Sequence, residues 1–407
     1  MTIASAGNKR VGLKKESAWG TLAGATGAQL LRRTTSDLSL EKDTYESGEK
    51  VDHQQVQDYR HGVKRVTGTL NGELSPGSYK LPMQSILRKD FVAGSTTGAL
   101  IVVTAAVGPP GTFTRSTGSY FTDGFKVGDI VRWTGWATTG TANNDRNYRI
   151  TVLTATVMTV VGTGNEVVAA KAAGDSVTCT VVGKKSWIPV ASHTSDSYTI
   201  EHWFADIAQS EQFVGCRFGG MDISLPATGM ATISMRIVGR DMTPGTSAYF
   251  TTPTAPPETG IAAAVNGLLR VGTTDLVVVT GADISVDLGL QPAEPTVGSN
   301  LLPAIFFGPR ARVTGTLTAF FEDAVLRDAF INETLSSLAI QLALGPAINA
   351  DFLSFVISKM KFGGARKDDP DAGIKQTLPF VGLLDTEGGA GEDTENTTIS
   401  VQDSTLV

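Results

Sequence analysis

Between residues 65 and 74 apolar and polar positions alternate without a break. Val66, Gly68, Leu70, Gly72 and Leu74 fall on one face, Arg65, Thr67, Thr69, Asn71 and Glu73 on the other. This is the period-two pattern of a half-buried strand. Its first six residues recur: Arg65-Val66-Thr67-Gly68-Thr69-Leu70 returns letter for letter as Arg312-Val313-Thr314-Gly315-Thr316-Leu317. The surroundings recur with it. Asp37-Leu38-Ser39-Leu40 precedes the first hexamer and Asp283-Ile284-Ser285-Val286 the second, at nearly the same distance. Each hexamer leads into a short helical pattern, and later come Arg217-Phe218-Gly219-Gly220 in one case and Lys361-Phe362-Gly363-Gly364 in the other. Repetition on this scale predicts one structural unit used twice.

The remaining periodicity fills in the units. After the first hexamer, Ser75-Pro76 predicts a helix start with Ser as N-cap, followed by a stripe of Tyr79, Met83, Ile86, Leu87 and Phe91. After the second, Glu322-Asp323 places negative charge ahead of Val325, Leu326, Ala329 and Phe330, where a helix dipole favours it. Further strands are predicted by Tyr198, Ile200, His202 and Phe204, by Met221, Ile223 and Leu225, and by Ile233, Met235 and Ile237. From 95 to 190 the texture changes to short β-branched runs between Gly and Asn turns, as in Phe125–Val131, Asn143–Ile150 and Thr151–Val161. Such runs predict a small β-barrel inserted into the first unit. A polar stretch, Glu41 to Val63, reads as an unusually long loop, with Tyr45, Val51, Val56 and Tyr59 to bury. The predicted organisation is mainly β: an arm over 1–30, a first domain over 31–94 and 191–242, an insert over 95–190, a Pro-rich linker over 243–267 and a second domain over 268–407. Each main domain is expected to be a β-sandwich or barrel with one flanking helix.

Composition narrows the function. A hydrophobic fraction of 41% and 45 glycines suit a folded chain of short strands and many turns. A net charge of −6 argues against a protein that grips nucleic acid by its phosphates. Cys179 and Cys216 are too few for a disulfide framework, and no secretion signal or membrane-spanning run is evident. Chemistry is sparse. His193 beside Ser195 and Asp196 suggests a triad only by adjacency, which a triad does not require. The acidic run Lys367 to Gly373 lacks the ligand series of a calcium loop, and no glycine cluster has a phosphate-loop lysine. No catalytic or metal-binding residue and no cofactor is therefore predicted. Trp133 and Trp136 leave one alternative, a carbohydrate- or host-binding β-repeat module on a virion or other surface, with those rings stacking on a sugar.

The Gly12-Leu13-Lys14-Lys15-Glu16-Ser17-Ala18-Trp19-Gly20-Thr21 segment, the two Arg-Val-Thr-Gly-Thr-Leu strands leading to helices, the long early loop and the Phe125–Ile150 module together resemble the tail tube (major tail) proteins of long-tailed bacteriophages. The resemblance implies a structural, non-enzymatic subunit that polymerises as stacked rings around a channel for double-stranded DNA. With two units per chain, it implies a homotrimeric ring of pseudo-sixfold symmetry, a homohexamer being the alternative. It implies a place in the virion tail, assembly in the host cytoplasm, and the tape-measure, tail terminator and distal tail proteins as partners. Under it, Tyr45, Glu49, Val51, His53, Val56, Tyr59 and Arg60 are candidates for contact with an adjacent ring. Lys14, Lys15 and Trp19 anchor the arm, and Thr67, Thr69, Glu73, Thr314, Thr316 and Thr318 are candidates for lining the lumen. The second loop, 288–310, departs from the first in its prolines and in Phe306 and Phe307. The insert is expected outside the tube, where there is room for it.

Overall fold

In the computed structural model, which describes residues 3–406 apart from 51, 53–54, 165–166, 273, 277 and 369–372, the alternating segment is part of the long strand Tyr59–Glu73. Val66, Leu70 and Leu74 point into the main core, and the ring of Tyr79 lies so close over Gly72 that a Cβ there would strike its hydroxyl. Phe380 crowds Gly315 in the same way. Glycine is needed at these positions to let an aromatic side chain lie against the backbone.

The molecule is mainly β, and two sets of strands follow one another in the same lateral order. The first runs Lys9–Lys15, Tyr198–Phe204, Gln209–Pro226, Thr232–Gly239, Tyr59–Glu73 and Ser39–Glu46, each antiparallel to the next. The second runs Gly267–Val271, Ser336–Ala343, Phe352–Phe362, Lys375–Gly382, Arg312–Phe320 and Val279–Asp287. The two join where Gln209–Pro226 runs on past its pairing with Tyr198–Phe204 and leaves an open edge: Gly220–Pro226 pairs there with Gly281–Asp287, the last strand of the second set, so one curled sheet passes from the first unit into the second.

Several segments differ from the pattern read along the chain. Lys9–Lys15 is not part of a free arm: it pairs with Tyr198–Phe204 over its whole length and buries Val11 and Leu13. The Pro-rich linker is likewise bound along its length, Asp241–Gly245 pairing with Ser210–Val214 and Thr252–Thr254 running parallel to Thr26–Leu30. Helix α1 is Lys80–Leu87 and starts later than Ser75. Pro82 explains this: in a helix begun at Pro76 it would be an interior residue with no N–H for Ser78, whereas here it lies in the first turn, where that N–H is unpaired anyway. Helix α2 is Val325–Ile331, and the Asp323 carboxylate accepts from the Val325 N–H at 2.9 Å. Its stripe is only partly covered, with Leu326 buried, Ala329 half-buried and Val325 and Phe330 exposed.

The stretch from Glu41 to Val63 is largely a β-hairpin and not a loop. Ser39–Glu46 and Tyr59–Glu73 pair as far as Glu46 opposite Tyr59. Thr44, Tyr45, Arg60 and His61 thus satisfy their backbone groups on each other without needing a core. The insert is a six-stranded sheet in the order Thr178–Val181, Ile130–Thr134, Tyr148–Leu153, Val157–Gly162, Gly111–Arg115, Val103–Ala106. It has its own core of Phe113, Tyr120, Phe125, Trp133, Trp136 and Tyr148.

Candidate assembly surface

One face of the curled sheet packs on the core; the other carries a row that is polar except at Val238. Reading across strands, Ser39 lies opposite Thr67, which lies opposite Val238; Thr69, Asn71 and Glu73 lie opposite Arg236, Ser234 and Thr232. Beyond these come Asp222 and Ser224, then Ser285 and Asp283, then Thr314 and Thr316, with Thr318 beside Thr377. The six threonine and glutamate positions singled out as lumen candidates all lie on this one face and are half-buried. Asp222, Asp283, Ser285, Ser234 and Arg236 belong to it as well. They were legible as the alternate positions to Met221, Ile223, Leu225 and Ile233, Met235, Ile237, but were not picked out as site residues.

The face is knit by side-chain hydrogen bonds. Asp37 accepts from the Thr69 N–H at 2.5 Å and from its hydroxyl at 3.1 Å. Glu41 accepts from Thr67 Oγ1 at 2.7 Å and Arg65 Nε at 3.1 Å, and these bonds hold its carboxyl below the ordinary value. At the junction between units, Asp222 accepts from Arg236 and from Ser285, both at 2.5 Å, while Ser224 Oγ donates to Asp283 at 2.6 Å.

The hairpin projects from the first unit with its apolar side chains unburied. Tyr45, Val56 and Tyr59 are 55%, 60% and 55% exposed, and Glu49 and Arg60 are exposed too. Tyr59 packs edge-on against His61 at 5.5 Å, and Arg60 pairs with Asp58 at 2.8 Å. Val51 and His53, also candidates, lie outside the described residues. The second loop does something else. Leu302 and Ile305 are buried against Val63 in a small cluster with Trp19 and Leu290, the Lys64 N–H donates to Asn300 O at 2.9 Å, and Arg217 donates to Ile305 O. Phe307 lies under the guanidinium of Arg88 at 4.1 Å. Leu302, Ile305 and Phe307 thus clamp the two units together, while Phe306 is exposed.

The polar contacts around Trp19 fall within its own unit. Trp19 Nε1 donates to Gly215 O at 3.1 Å and its ring faces Arg240 at 5.0 Å. Lys14 donates to Gly24 O and Thr26 O, and Lys15 pairs with Asp196 at 2.8 Å. Glu16, not singled out in the sequence, is the buried centre: it accepts from Ser197 Oγ at 2.7 Å, Gly215 N at 2.8 Å, Gly20 N at 2.9 Å and Thr199 Oγ1 at 3.0 Å.

The insert is docked on the second unit. Arg149 pairs with Asp275 at 2.9 Å, Asn147 Nδ2 donates to Ala350 O at 2.8 Å, and Gln402 both donates to Ile130 O and accepts from its N–H. Lys185 lies buried between Asp129 at 3.2 Å and Glu395 at 3.4 Å. Burial opposes its charge, but the two carboxylates outweigh this and hold its pKa above the ordinary value.

The residues weighed for other chemistry are engaged elsewhere. Ser195 accepts from Arg88 at 3.3 Å and Asp196 from Lys15, leaving His193 on the surface with neither as partner. Trp133 and Trp136 are 0% and 3% exposed and form the centre of the insert's core, so neither ring offers a face to a sugar. Lys367 and Asp368 belong to the edge strand Arg366–Asp368; the acidic positions 369 and 371 lie outside the described residues. Among the described residues no helix is long and apolar enough to cross a membrane. A family model described as phage tail tube protein matches residues 7–382. No curated protein matches the chain.

Proposed function

Because the chain belongs to the phage tail tube protein family, a structural family and not one of enzymes, we propose how this subunit builds its tube. Three chains close a ring in which six equivalent units alternate between first and second type, and rings stack into a tube. The observation that carries this reading is the internal junction: the second unit adds to the edge of the first with the same strand order, so a chain is already two neighbours of a ring. Repeating that step around an axis closes a heterologous ring.

The polar row faces the channel in this proposal. Thr67, Thr69, Glu73, Thr314, Thr316 and Thr318 then line it together with Asp222, Asp283 and the arginines of the same face, of which Arg236 is paired with Asp222 and Arg65 with Glu41 and Asp43. A wall of hydroxyls and carboxylates whose arginines are paired suits a conduit for DNA, since unpaired cations would hold phosphates by counterion release. The exposed hairpin, with Tyr45, Glu49, Val56, Tyr59 and Arg60, reaches the next ring. Only the first unit makes this contact, because the second unit's loop is folded onto its own chain. The insert lies outside. The tape-measure protein within the channel, terminator and distal tail proteins at its ends, and assembly in the host cytoplasm before incorporation in the virion complete the proposal.

Negative-stain electron microscopy of the purified protein, with mass per axial repeat, tests it. Hollow filaments with three chains per repeat are expected. Six chains per repeat would replace the trimer by a hexamer, and discrete monomers under all assembly conditions would overturn the tube.

A further inference from the structure

The two units are alike in strand order but not in what borders them. In the first, Asp222 and Ser224 have neighbours on both sides: Ser234 and Thr232 on one, Ser285 and Asp283 on the other. In the second, Arg366 and Asp368 pair with Thr377 and Lys375. Among the described residues no strand pairs with their other edge. The outer edge of Asp37–Glu41 in the first unit is open in the same sense.

These two open edges are counterparts of the two edges joined inside the chain, and the correspondence is fixed from both directions. Asp222 connects through Ser234 to Asn71, and Arg366 through Thr377 to Thr318. Asn71 and Thr318 stand at the same distance from the repeated hexamer. On the other side Ser285 lies opposite Thr314 and Ser39 opposite Thr67, again one position of the hexamer.

We propose that the Arg366–Asp368 edge of one copy adds, antiparallel, to the Asp37–Glu41 edge of a second copy in the register of the internal junction. Arg366 then lies opposite Ser39, Lys367 opposite Leu38 and Asp368 opposite Asp37. The proposal rests on the tube reading and supplies its ring contact at residue level. Backbone groups of an open edge are a template for strand addition. Charge favours this register: Arg366 stands diagonally between Asp37 and Glu41, within reach of either. The like-charged pair, Asp368 and Asp37, is moderated by Lys375 opposite Asp368 and by the Thr69 donors on Asp37.

The internal junction also says which pairs to cross-link. Leu288 N–H donates to Gly219 O at 2.9 Å, so by alternation Asp222–Ser285 and Gly220–Asp287 are non-hydrogen-bonded pairs, whose side chains approach most closely. Their counterparts are Arg366–Ser39 and Gly364–Glu41. The full-length chain carrying Ser39→Cys and Arg366→Cys, oxidised mildly after assembly and run on a non-reducing gel, should give a ladder ending in a closed covalent trimer. Glu41→Cys with Gly364→Cys should do the same while keeping Arg366. Each single variant, and the displaced pair Thr35→Cys with Arg366→Cys, should stay monomeric on the gel. The native cysteines are buried and do not compete. Tubes in the microscope without cross-linking of either designed pair would overturn the strand addition and leave the tube reading standing. Absence of rings, tubes and cross-links for the unchanged and substituted chains alike would overturn both. A covalent hexamer would keep the strand addition and replace the trimer.

Discussion

Glu16 shows how much one buried carboxylate can organise. Its four donors come from three separate stretches of chain, Gly20, Ser197 with Thr199, and Gly215, so it ties the N-terminal segment to two strands of the first unit. Glu16→Gln keeps the shape but sets an amide NH2 against some of these donors, and should lower unfolding free energy by about 2 kcal/mol in urea denaturation. His202 makes a different kind of contribution. It is buried, bonded to Ser36 at 2.8 Å and edge-on to Phe213, with Glu211, Lys9 and Arg33 as its charged surroundings. Burial lowers its pKa below the ordinary 6.5, so in acid the unfolded chain takes up the proton first. Stability should therefore rise with pH between the lowered folded value and 6.5 and contribute no further slope above it. Thermal melts from pH 5 to 8 should show this slope, and His202→Gln should flatten it. The strand position of His202 was legible from alternation; the role of Glu16 was not, because nothing in a lone Glu says that four donors converge on it.

At the scale of elements the hairpin and its counterpart carry the contrast. Both follow the Asp-x-Ser-x strand of their unit, but one projects Tyr45, Val56 and Tyr59 into solvent and the other buries Leu302 and Ile305. A variant in which residues 48–57 are replaced by a tight turn should fold with its stability changed by less than about 0.5 kcal/mol, since every described residue of the tip is exposed. It should form single rings without filaments, which calorimetry and electron microscopy would read together. Strand-level alternation was legible at 65–74, 198–204, 221–225 and 233–237. The misread segments were set by pairing and not by local pattern: the Lys9–Lys15 strand and Thr252–Thr254 find their partners far along the chain, and the hairpin arms pair with each other without burying an apolar face that would show as alternation.

For the whole molecule the insert is the separable part. Its entry and exit are adjacent, Val92–Ala93 pairing with Lys184–Lys185 and Gly94 donating to Gly183 O at 3.4 Å. Replacing 95–182 by a short Gly-Ser link should leave the curled sheet folded, as judged by circular dichroism, and should leave tube formation intact with a narrower outer diameter. Loss of Asp129 leaves Lys185 with Glu395 alone, so the excised variant should be less stable than the parent by a few kcal/mol. The repeated units, by contrast, share one sheet and should unfold in a single transition.

The chain's own pattern determined the strand over 65–74 and its repeat at 312–317, the strands around 198–204, 221–225 and 233–237 with their faces, and the presence of an insert of different texture. These follow from which side chains avoid water at a period of two. Tertiary structure alone decided that the second unit adds to the edge of the first, which loop projects and which folds back, and that the insert rests on the second unit. Those choices depend on backbone edges and on residues such as Arg217, Asn300, Asp275 and Gln402 meeting across long separations, where hydrogen-bonding capacity is present in every residue but its direction is set only when the chain has folded.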